Sequence, residues 1–471
     1  MSDLAIVWFR RDFRLADHPA LDHARSNHER VLPVYIHDPD AMGDWAPGEA
    51  SQWWLHHALS DLTDRLEERG VQLVVRSGPA AEQLDQLLSS TGAAAVYWNR
   101  LYEPALVKRD TEIKSALKKQ DIEVKSFRAA VLFEPWELLK DDGDPYRVFT
   151  PYWRRMQKGW RSVSTAPEPR ELNGPEHAPE SDSIASLKLL PELDWDKGLA
   201  ERWQPGELAG RRQIRDFADD AIEAYSDARD RPAQPGTSSM SPYLHFGHIS
   251  PAQIIEQLNE AGDLPDGKGA LSYVRELAWR EFSIVLLHHF PTTSDQPLQD
   301  KFGNFPWRDK NDYADELKAW QRGQTGVPFV DAGMRQLYTT GWMHNRVRMV
   351  VASYLTKNLL VPWQEGARWF WDTLVDADLA SNTQGWQWTA GTGADAAPYF
   401  RIFNPDLQAE RFDPDGAYIR RWCPELDGLN PKQMSKLDEE ERKQRKYPAP
   451  LVNLKTTRER ALEAYQQIKS D

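Results

Sequence analysis

Three stretches of this chain carry residue types suited to chemistry rather than to packing alone. In RELAWREF, Arg275 to Phe282, the residues Glu276, Trp279 and Arg280 fall at i, i+3 and i+4, so a helix places a carboxylate, an aromatic plate and a guanidinium on one face. Between Gly341 and Pro405, Trp342, Trp363, Trp369, Trp371, Trp386 and Trp388 stand among the charges of Arg346, Arg348, Asp376 and Asp378. A core built only for stability uses Leu, Ile and Val, because an indole N–H needs a partner and a buried charge needs a counter-charge. The mixture points to a flat, polar, aromatic ligand. The third stretch, PGTSSMSPYL from Pro235 to Leu244, crowds hydroxyls ahead of a proline. Hydroxyls and free backbone N–H groups at a helix entrance seat an anion or a phosphate, although taken alone an over-furnished N-cap is the simpler account.

Other patterns exclude function classes. GTGADA, Gly391 to Ala396, fits a dinucleotide G-x-G-x-x-A pattern literally, but it follows WQWTA in a helical region instead of closing a strand. The pairs His56-His57 and His288-His289 are adjacent rather than four apart and lack carboxylates at ligand spacing, so no metal site is expected. There is no P-loop and no nucleophile elbow. Cys423 is the only cysteine, which rules out an intrachain disulfide and reads as a small buried hydrophobe. A formal net charge of −14 confines any nucleic-acid contact to a local basic patch. The start, MSDLAIVWFRRDFRL, lacks a small-residue cleavage site, and no uncharged apolar run approaches membrane-spanning length, so a cytoplasmic protein is expected.

The elements that must position these residues follow from periodicity. At 471 residues the chain exceeds the size of one hydrophobic core, which predicts two domains. LAIVWF (Leu4 to Phe9), VLPVYIHD (Val31 to Asp38), VQLVVRSG (Val71 to Gly78), AAAVYWN (Ala93 to Asn99) and IEVKSFRA are β-rich runs. Helical patterns lie between them: Ser51 to a stop at Gly70, and a helix opened by Pro104. Alternating strands and helices predict an α/β domain with a parallel, Rossmann-like sheet. The carboxyl ends of its strands put Arg10, Arg11, Asp12, Asp38, Asn99 and Arg100 on the edge where such sheets bind ligands, with solvated loop ends as the even alternative. After about Pro151 the composition changes, and Ser162 to Gly198 reads as a long surface connection. The remainder is helical, including one helix from Arg211 to Tyr225 whose apolar face is Ile214, Phe217, Ala218, Ala221, Ile222 and Tyr225. The expected division is an α/β domain over 1–130, a linker over 131–205 and an all-α domain over 206–471.

FRRDFRL, WAPGEASQWWLHHAL, VYWNRLYEP, PGTSSMSPYLHFG, ELAWREF, TGVPFVDAGMRQLYTTGWMHNRVRM, and DADLASNTQGWQW through DAAPYFRIFNP span nearly the whole chain. On these motifs the sequence resembles the DNA photolyase and cryptochrome family, most closely a class I or class III cyclobutane pyrimidine dimer photolyase. The resemblance implies an amino-terminal antenna-chromophore domain and a helical domain that holds FAD. It assigns the FAD ribose and phosphates to Tyr225, to the loop of Thr237, Ser238, Ser239, Met240 and Ser241, and to Arg280. It sets Asp376 and Asp378 at the isoalloxazine ring, with Arg348 paired to Asp376. Asn382 would sit beside the ring nitrogen that changes protonation on reduction, where a neutral amide can accept or donate and so tolerates both states. Trp307, Trp363 and Trp386 would relay electrons from the surface. Trp279 and Trp388 would wall the flipped-out dimer, Glu276 and Asn345 would hydrogen-bond its bases, and Met349 would pack beside it. Arg229, Arg346 and Arg401 would form the basic patch.

The implied reaction is light-dependent: photoexcited reduced FAD gives an electron to the dimer, two cyclobutane bonds split, and the electron returns. A monomer acting on UV-damaged DNA is expected. A cryptochrome-type blue-light receptor is the alternative, against which Asn382, Trp279, Glu276, Met349 and the end at Asp471 favour repair. Asn345 and Met349 stand where a photolyase for (6-4) photoproducts would show histidines. The WAPGEASQWWLHHAL segment favours methenyltetrahydrofolate as antenna. Ala105 and Leu106 replace the polar ligands of folate-binding class I enzymes, which keeps 8-hydroxy-deazaflavin or an empty antenna site as alternatives.

Overall fold

Short apolar runs rich in β-branched and aromatic residues build a parallel sheet from β1 (Leu4–Phe9), β2 (Arg30–His37), β3 (Val74–Ser77), β4 (Ala95–Asn99) and β5 (Glu123–Phe127), in the order β3-β2-β1-β4-β5. The computed structural model describes residues 3–160, 163–264, 266–395 and 400–468. In the sheet centre Ile6 pairs in register with Leu32 on one side and Val96 on the other, and every residue of β1 is buried. Crossover helices α1 (Pro19–Asn27), α2 (Glu49–Glu67), α3 (Ala80–Thr91) and α4 (Pro104–Lys119) follow their strands. Leu84, Leu87 and Ile113 from these helices join Ile6, Trp8, Val34, Val96 and Trp98 in one core cluster. The expected α/β class therefore holds, and among the described residues no strand follows β5.

Contacts group the chain into two units. The first comprises Met1–Asp194, Trp203–Glu223 and Ser238–Pro291; the second comprises Trp195–Arg202, Ala224–Thr237 and Thr292–Asp471. Beyond the sheet the first unit carries α5 (Phe149–Met156) and the helices Glu207–Asp220, Pro251–Glu260 and Lys268–His289. The second is helical, with Lys310–Gln321, Pro328–Thr340, Asn345–Ser353, Trp363–Thr373 and Leu379–Ala390 as principal members. A π-helical turn at Tyr354–Asn358 continues the Asn345–Ser353 helix. None of the described helices is long and apolar enough to cross a membrane.

One expectation needs correcting. The helix predicted from Arg211 to Tyr225 stops at Asp220, and Tyr225 opens a separate short helix, Tyr225–Ala228. A Cβ on Gly269 would lie 1.7 Å from the carbonyl oxygen of Ile222, so the turn after Asp220 is pressed against the start of the Lys268–His289 helix and leaves the helical path. The long connection runs over the surface as read, and it is tied to the sheet by hydrogen bonds. Val75 donates to Ser181 Oγ at 2.9 Å and accepts from the Asp182 N–H at 2.9 Å, while the Leu172 N–H reaches the Arg69 carbonyl at 2.8 Å. The segment thus covers the outer edge of β3, which would otherwise present unpaired backbone groups.

Glu207 ties the loop after β1 to its helix. The buried carboxylate accepts from the N–H groups of Leu15 at 2.6 Å and Ala16 at 3.3 Å and pairs with Arg65. Glu207→Ala is expected to lower stability by about 2–4 kcal/mol, because it leaves two buried N–H groups unpartnered and the buried Arg65 guanidinium with Glu168 as its remaining ion-pair partner. Urea unfolding of the variant beside the parent protein measures this, and an unchanged midpoint would refute it.

Candidate functional site

In the first unit, the Lys268–His289 helix carries Glu276, Trp279 and Arg280 on one face, as the spacing requires. Trp279 lies flat on Phe149 of α5, with ring centroids 3.6 Å apart and planes within 7°. Such a stack adds about 0.5–1.5 kcal/mol beyond burial and fixes the plane of the indole. Glu276 is half-buried beside it. Arg280 donates through Nη1 to the Ala130 carbonyl at 2.7 Å, so its guanidinium is anchored at one end. The next residue, Glu281, is buried and accepts from the Leu132 N–H at 2.5 Å and the Phe133 N–H at 3.2 Å. Burial pushes its carboxyl up to about 7, against the pull of those two N–H groups and of Arg280.

The serine-rich loop is held in the same unit. Gln213 Nε2 donates to the Ser238 carbonyl at 2.9 Å, Ser238 Oγ accepts from the Met240 N–H at 3.3 Å, and Met240 is buried. Ser239 has φ +53°, a left-handed conformation that a non-glycine residue adopts at a cost. Ser241 opens a five-residue helix, Ser241–His245, with Pro242 in its first turn.

In the second unit, Arg348 Nη2 reaches both carboxylate oxygens of Asp376, at 2.8 and 3.1 Å, while its Nε donates to the Met343 carbonyl at 2.7 Å. Asp376 is 8% exposed. Asp378 caps the Leu379–Ala390 helix by accepting from the Ser381 N–H at 2.8 Å. One turn on, Asn382 Nδ2 donates to the Ala367 carbonyl at 2.9 Å. That assignment follows from the hydrogen-bond network and leaves Oδ1 as the group Asn382 can offer a ligand. On the same helix Thr383 Oγ1, Gln384 Nε2 and Trp386 Nε1 are buried and have no hydrogen-bond partner among the described residues. Each such group costs about 1–3 kcal/mol if left so, which a helix serving only stability would avoid. The donor set fits a polar heteroaromatic group such as a flavin.

Asn345, Arg346 and Met349 come together on the first turns of the Asn345–Ser353 helix, where Arg346 Nη1 lies 3.8 Å from Met349 Sδ. His344 caps this helix, its Nδ1 accepting from the Arg346 N–H at 3.2 Å. Burial, with Arg346, Arg348 and Arg229 nearby, holds this imidazole down to about 4 in spite of Asp230. Arg346 also pairs with Asp230 at 2.7 Å. Arg229 stacks on Tyr225, its guanidinium 5.4 Å from the ring centroid. Trp388 and Arg401 both lie against one ring, Phe403, at 6.5 and 5.9 Å. Thr237 is half-buried.

Trp386 packs edge-on against Phe370 at 5.0 Å and Trp320 at 6.1 Å. A Cβ on Gly366 would lie 2.0 Å from Trp386 Cη2, so only glycine admits the indole at this point of the Trp363–Thr373 helix. Trp363 is buried at the start of that helix, and Trp307 is half-buried beside Phe305 at 4.5 Å. Sequence reasoning passed over Trp320, Phe149 and Glu281. Glu281 alone left a signal, a charge between the buried positions Ala278 and Phe282 of an otherwise apolar face.

At the sheet edge the charges are paired with one another, with Arg10, Asp12 and Asn99 buried and Arg11, Asp38 and Arg100 half-buried. Arg10 pairs with Asp110, Arg11 with Glu103, Arg100 with Glu134, Asp38 with Arg109, and Asn99 Nδ2 donates to Asp12 at 2.8 Å. The Trp8 ring lies 4.9 Å from both the Arg10 and Arg109 guanidinium carbons. In WAPGEASQWWLHHAL, Trp53 and Trp54 are core residues, and Trp54 Nε1 donates to His248 Nε2 at 3.0 Å. GTGADA begins at the left-handed C-cap Gly391 of a helix rather than after a strand, and Ala396 to Tyr399, shared with DAAPYFRIFNP, lie outside the described residues.

The family described as DNA photolyase matches residues 5–171, and that described as the FAD binding domain of DNA photolyase matches residues 273–467. A deoxyribodipyrimidine photo-lyase of Agrobacterium fabrum is 44% identical over 98% of this chain and 98% of its own length. The chain belongs to the DNA photolyase family. Among solved structures, a bacterial class III photolyase from Agrobacterium tumefaciens superposes with a TM-score of 0.95 at 44% identity, covering 100% of this chain and 98% of that one. A cryptochrome from Synechocystis sp. PCC6803 gives 0.88 at 29% identity, covering 98% and 99%. Within this photolyase, the FAD-binding match takes in Glu276, Trp279, Arg280, Asp376, Asp378 and Asn382, whereas Tyr225, Arg229 and the Thr237 to Ser241 loop fall between the two matched spans.

Proposed function

We propose that this photolyase repairs cyclobutane pyrimidine dimers in UV-damaged DNA under blue light. The observation that carries the reading is end-to-end similarity to an enzyme named for that reaction, at 44% identity. Arg348, Asp376 and Asn382 would hold FAD, which in its reduced form would supply light-driven electron transfer with no net redox change.

The chain's own residues hold and orient. Arg348 and Asp376 form a fixed ion pair for the isoalloxazine ring, with Asp378 beside it. Asn382, locked by Ala367, presents its carbonyl oxygen to the ring nitrogen. Tyr225, the Thr237, Ser238, Ser239, Met240 and Ser241 loop, and Arg280 take the ribose and phosphates. Trp279, held flat by Phe149, and Trp388 stack on the extruded bases, and each stack contributes about 1–3 kcal/mol toward the cost of leaving the duplex. Glu276 and Asn345 hydrogen-bond those bases, and Met349 packs beside them. Arg229, Arg346 and Arg401 meet phosphates. Trp307, Trp363 and Trp386 pass electrons inward when the cofactor needs reducing. The antenna is methenyltetrahydrofolate in this reading, with 8-hydroxy-deazaflavin as the alternative, and the enzyme works as a cytoplasmic monomer with the division 1–130, 131–205 and 206–471.

The test is absorbance recovery of a dimer-containing oligothymidylate after blue illumination of the photoreduced protein, with a dark control. Light-dependent recovery is expected. Its absence from protein with reducible FAD would sink the repair reading and leave a light receptor. A Trp386→Phe variant is expected to photoreduce much more slowly while repairing normally once reduced chemically. Equal photoreduction rates would remove Trp386 from the relay.

A further inference from the structure

Between Trp386 and Trp388 the Leu379–Ala390 helix carries a fully buried amide, Gln387. Its Nε2 donates to the Thr293 carbonyl at 2.7 Å and to the Gln296 carbonyl at 2.9 Å. Its Oε1 accepts from the Leu298 N–H at 2.9 Å and from Thr392 Oγ1 at 3.2 Å. Both amide hydrogens and both oxygen lone pairs are thereby matched, an orientation that the hydrogen-bond network assigns. A leucine or methionine would fill this space without needing any partner, so an amide here does more than fill the core: it holds the segment 293–299 at a defined place.

The neighbouring helix grips the same segment. Gln364, in the first turn of the Trp363–Thr373 helix, donates through Nε2 to the Asp295 carbonyl at 3.1 Å. Gln299 closes the far end, its N–H reaching the Thr392 carbonyl at 2.9 Å and its Nε2 the Gly393 carbonyl at 2.7 Å. Two helices are thus laced to one segment through glutamines that stand directly beside Trp363 and Trp386 in the chain. The helices also touch where Trp386 lies on Gly366 and where Asn382 bonds to Ala367. Those contacts fix the crossing point, and the laced segment limits how far the ends bearing Gln364 and Gln387 can part. Trp386 Nε1 has no hydrogen-bond partner among the described residues, so the indole takes its place from the backbone that bears it and from packing on Phe370 and Trp320.

We propose that Gln387 and Gln364 are positioning residues for the electron relay: through the segment 293–299 they set the separation of Trp363 and Trp386. This rests on the relay reading given above. In the step concerned one electron passes from Trp363 to a Trp386 that has given its own to the photoexcited, oxidised cofactor, and an added thiol is the final donor. Transfer between two rings weakens steeply as their gap widens, so the supporting shell controls the rate. Repair by protein already reduced does not use that gap. A fault in the clamp therefore separates photoreduction from repair.

Gln387→Met keeps the volume and removes the four hydrogen bonds. Under blue light with excess thiol, the oxidised holoenzyme of this variant is expected to photoreduce several-fold more slowly than the parent, and that of Gln364→Met to be slowed less. Once reduced chemically, both are expected to repair a dimer-containing oligothymidylate at the parent rate at saturating substrate. Backbone hydrogen exchange over 293–299, followed by mass spectrometry, is expected to speed up in Gln387→Met. Glu207→Ala, which loses stability in the other unit, is expected to photoreduce at the parent rate, so slow photoreduction reports geometry and not stability. Parent-rate photoreduction or unchanged exchange in Gln387→Met overturns the proposal, as does equal slowing in Glu207→Ala or a repair rate that falls in step with photoreduction. Should Gln387→Met not fold, Gln364→Met decides by the same criteria. A Trp386→Phe variant that photoreduces at the parent rate overturns the relay reading and the proposal with it, whereas a slow Trp386→Phe beside a parent-rate Gln387→Met overturns the proposal alone.

Discussion

Asp376→Ala is expected to strip most of the flavin from the purified protein and to lower its stability by about 2–3 kcal/mol. The carboxylate is almost fully buried and holds Arg348 through both oxygens at 2.8 and 3.1 Å. Removing one partner of such a pair leaves the other charge uncompensated, which costs about 3–5 kcal/mol when both are fully buried. Arg348 keeps a side-chain exposure of 24%, so water recovers part of that loss and the lower figure applies. Arg348 is also bonded to Met343 and sits on the helix of Asn345, Arg346 and Met349. Its displacement therefore reaches the residues assigned to the lesion as well as those assigned to the ring. Asp376→Asn keeps an acceptor and is expected to show a smaller deficit in both readouts. Flavin-to-protein absorbance ratio and urea unfolding measure the two effects. Full flavin content in the alanine variant would show that the ion pair does not organise the cofactor site.

The second large effect concerns pH and Glu281. Burial raises this carboxyl from its ordinary 4.5 to about 7. The folded state therefore holds the proton more tightly than the unfolded chain does, and the stability this contributes is fully present below pH 4.5, is lost as pH rises to about 7, and is absent above that. A displacement of this size corresponds to roughly 3 kcal/mol across the window. Glu281→Gln cannot titrate, so the stability of the parent minus that of the variant is expected to fall between pH 5 and about 7 and to level off beyond. Subtraction matters because Asp61, raised by burial to about 6, titrates in the same range in both proteins. The variant should also be weaker at every pH, since its amide NH₂ faces one of the two N–H groups, of Leu132 or Phe133, that the carboxylate accepts. Urea midpoints at several pH values give the difference curve, and a flat difference would mean that Glu281 is ionised throughout.

Local spacing carried much of the fold. β1 lies where LAIVWF places it, α4 opens at Pro104, and the face shared by Glu276, Trp279 and Arg280 follows from their separation by three and four residues. Periods of two and 3.6 are properties of the backbone itself, so a single sequence displays them. The roles of Asp376, Asn382 and the tryptophans were legible in another way, through resemblance to a family, because no periodicity distinguishes a flavin ligand from a packed polar residue.

What only the tertiary structure decided are contacts between residues far apart in the chain. The helix that ends at Asp220 does so because Gly269 presses on Ile222, and Trp279 has its orientation from Phe149, 130 positions earlier. Arg280 is anchored by Ala130, Glu281 is raised by burial while the Leu132 and Phe133 N–H groups hold it, and the charged sheet edge is closed by pairs such as Arg10 with Asp110. A residue's type announces that it needs a partner, but nothing in its neighbours names a partner a hundred residues away. That choice is made when the packed elements bring the two together, because only then does the cost of a buried unpaired group select which side chains meet.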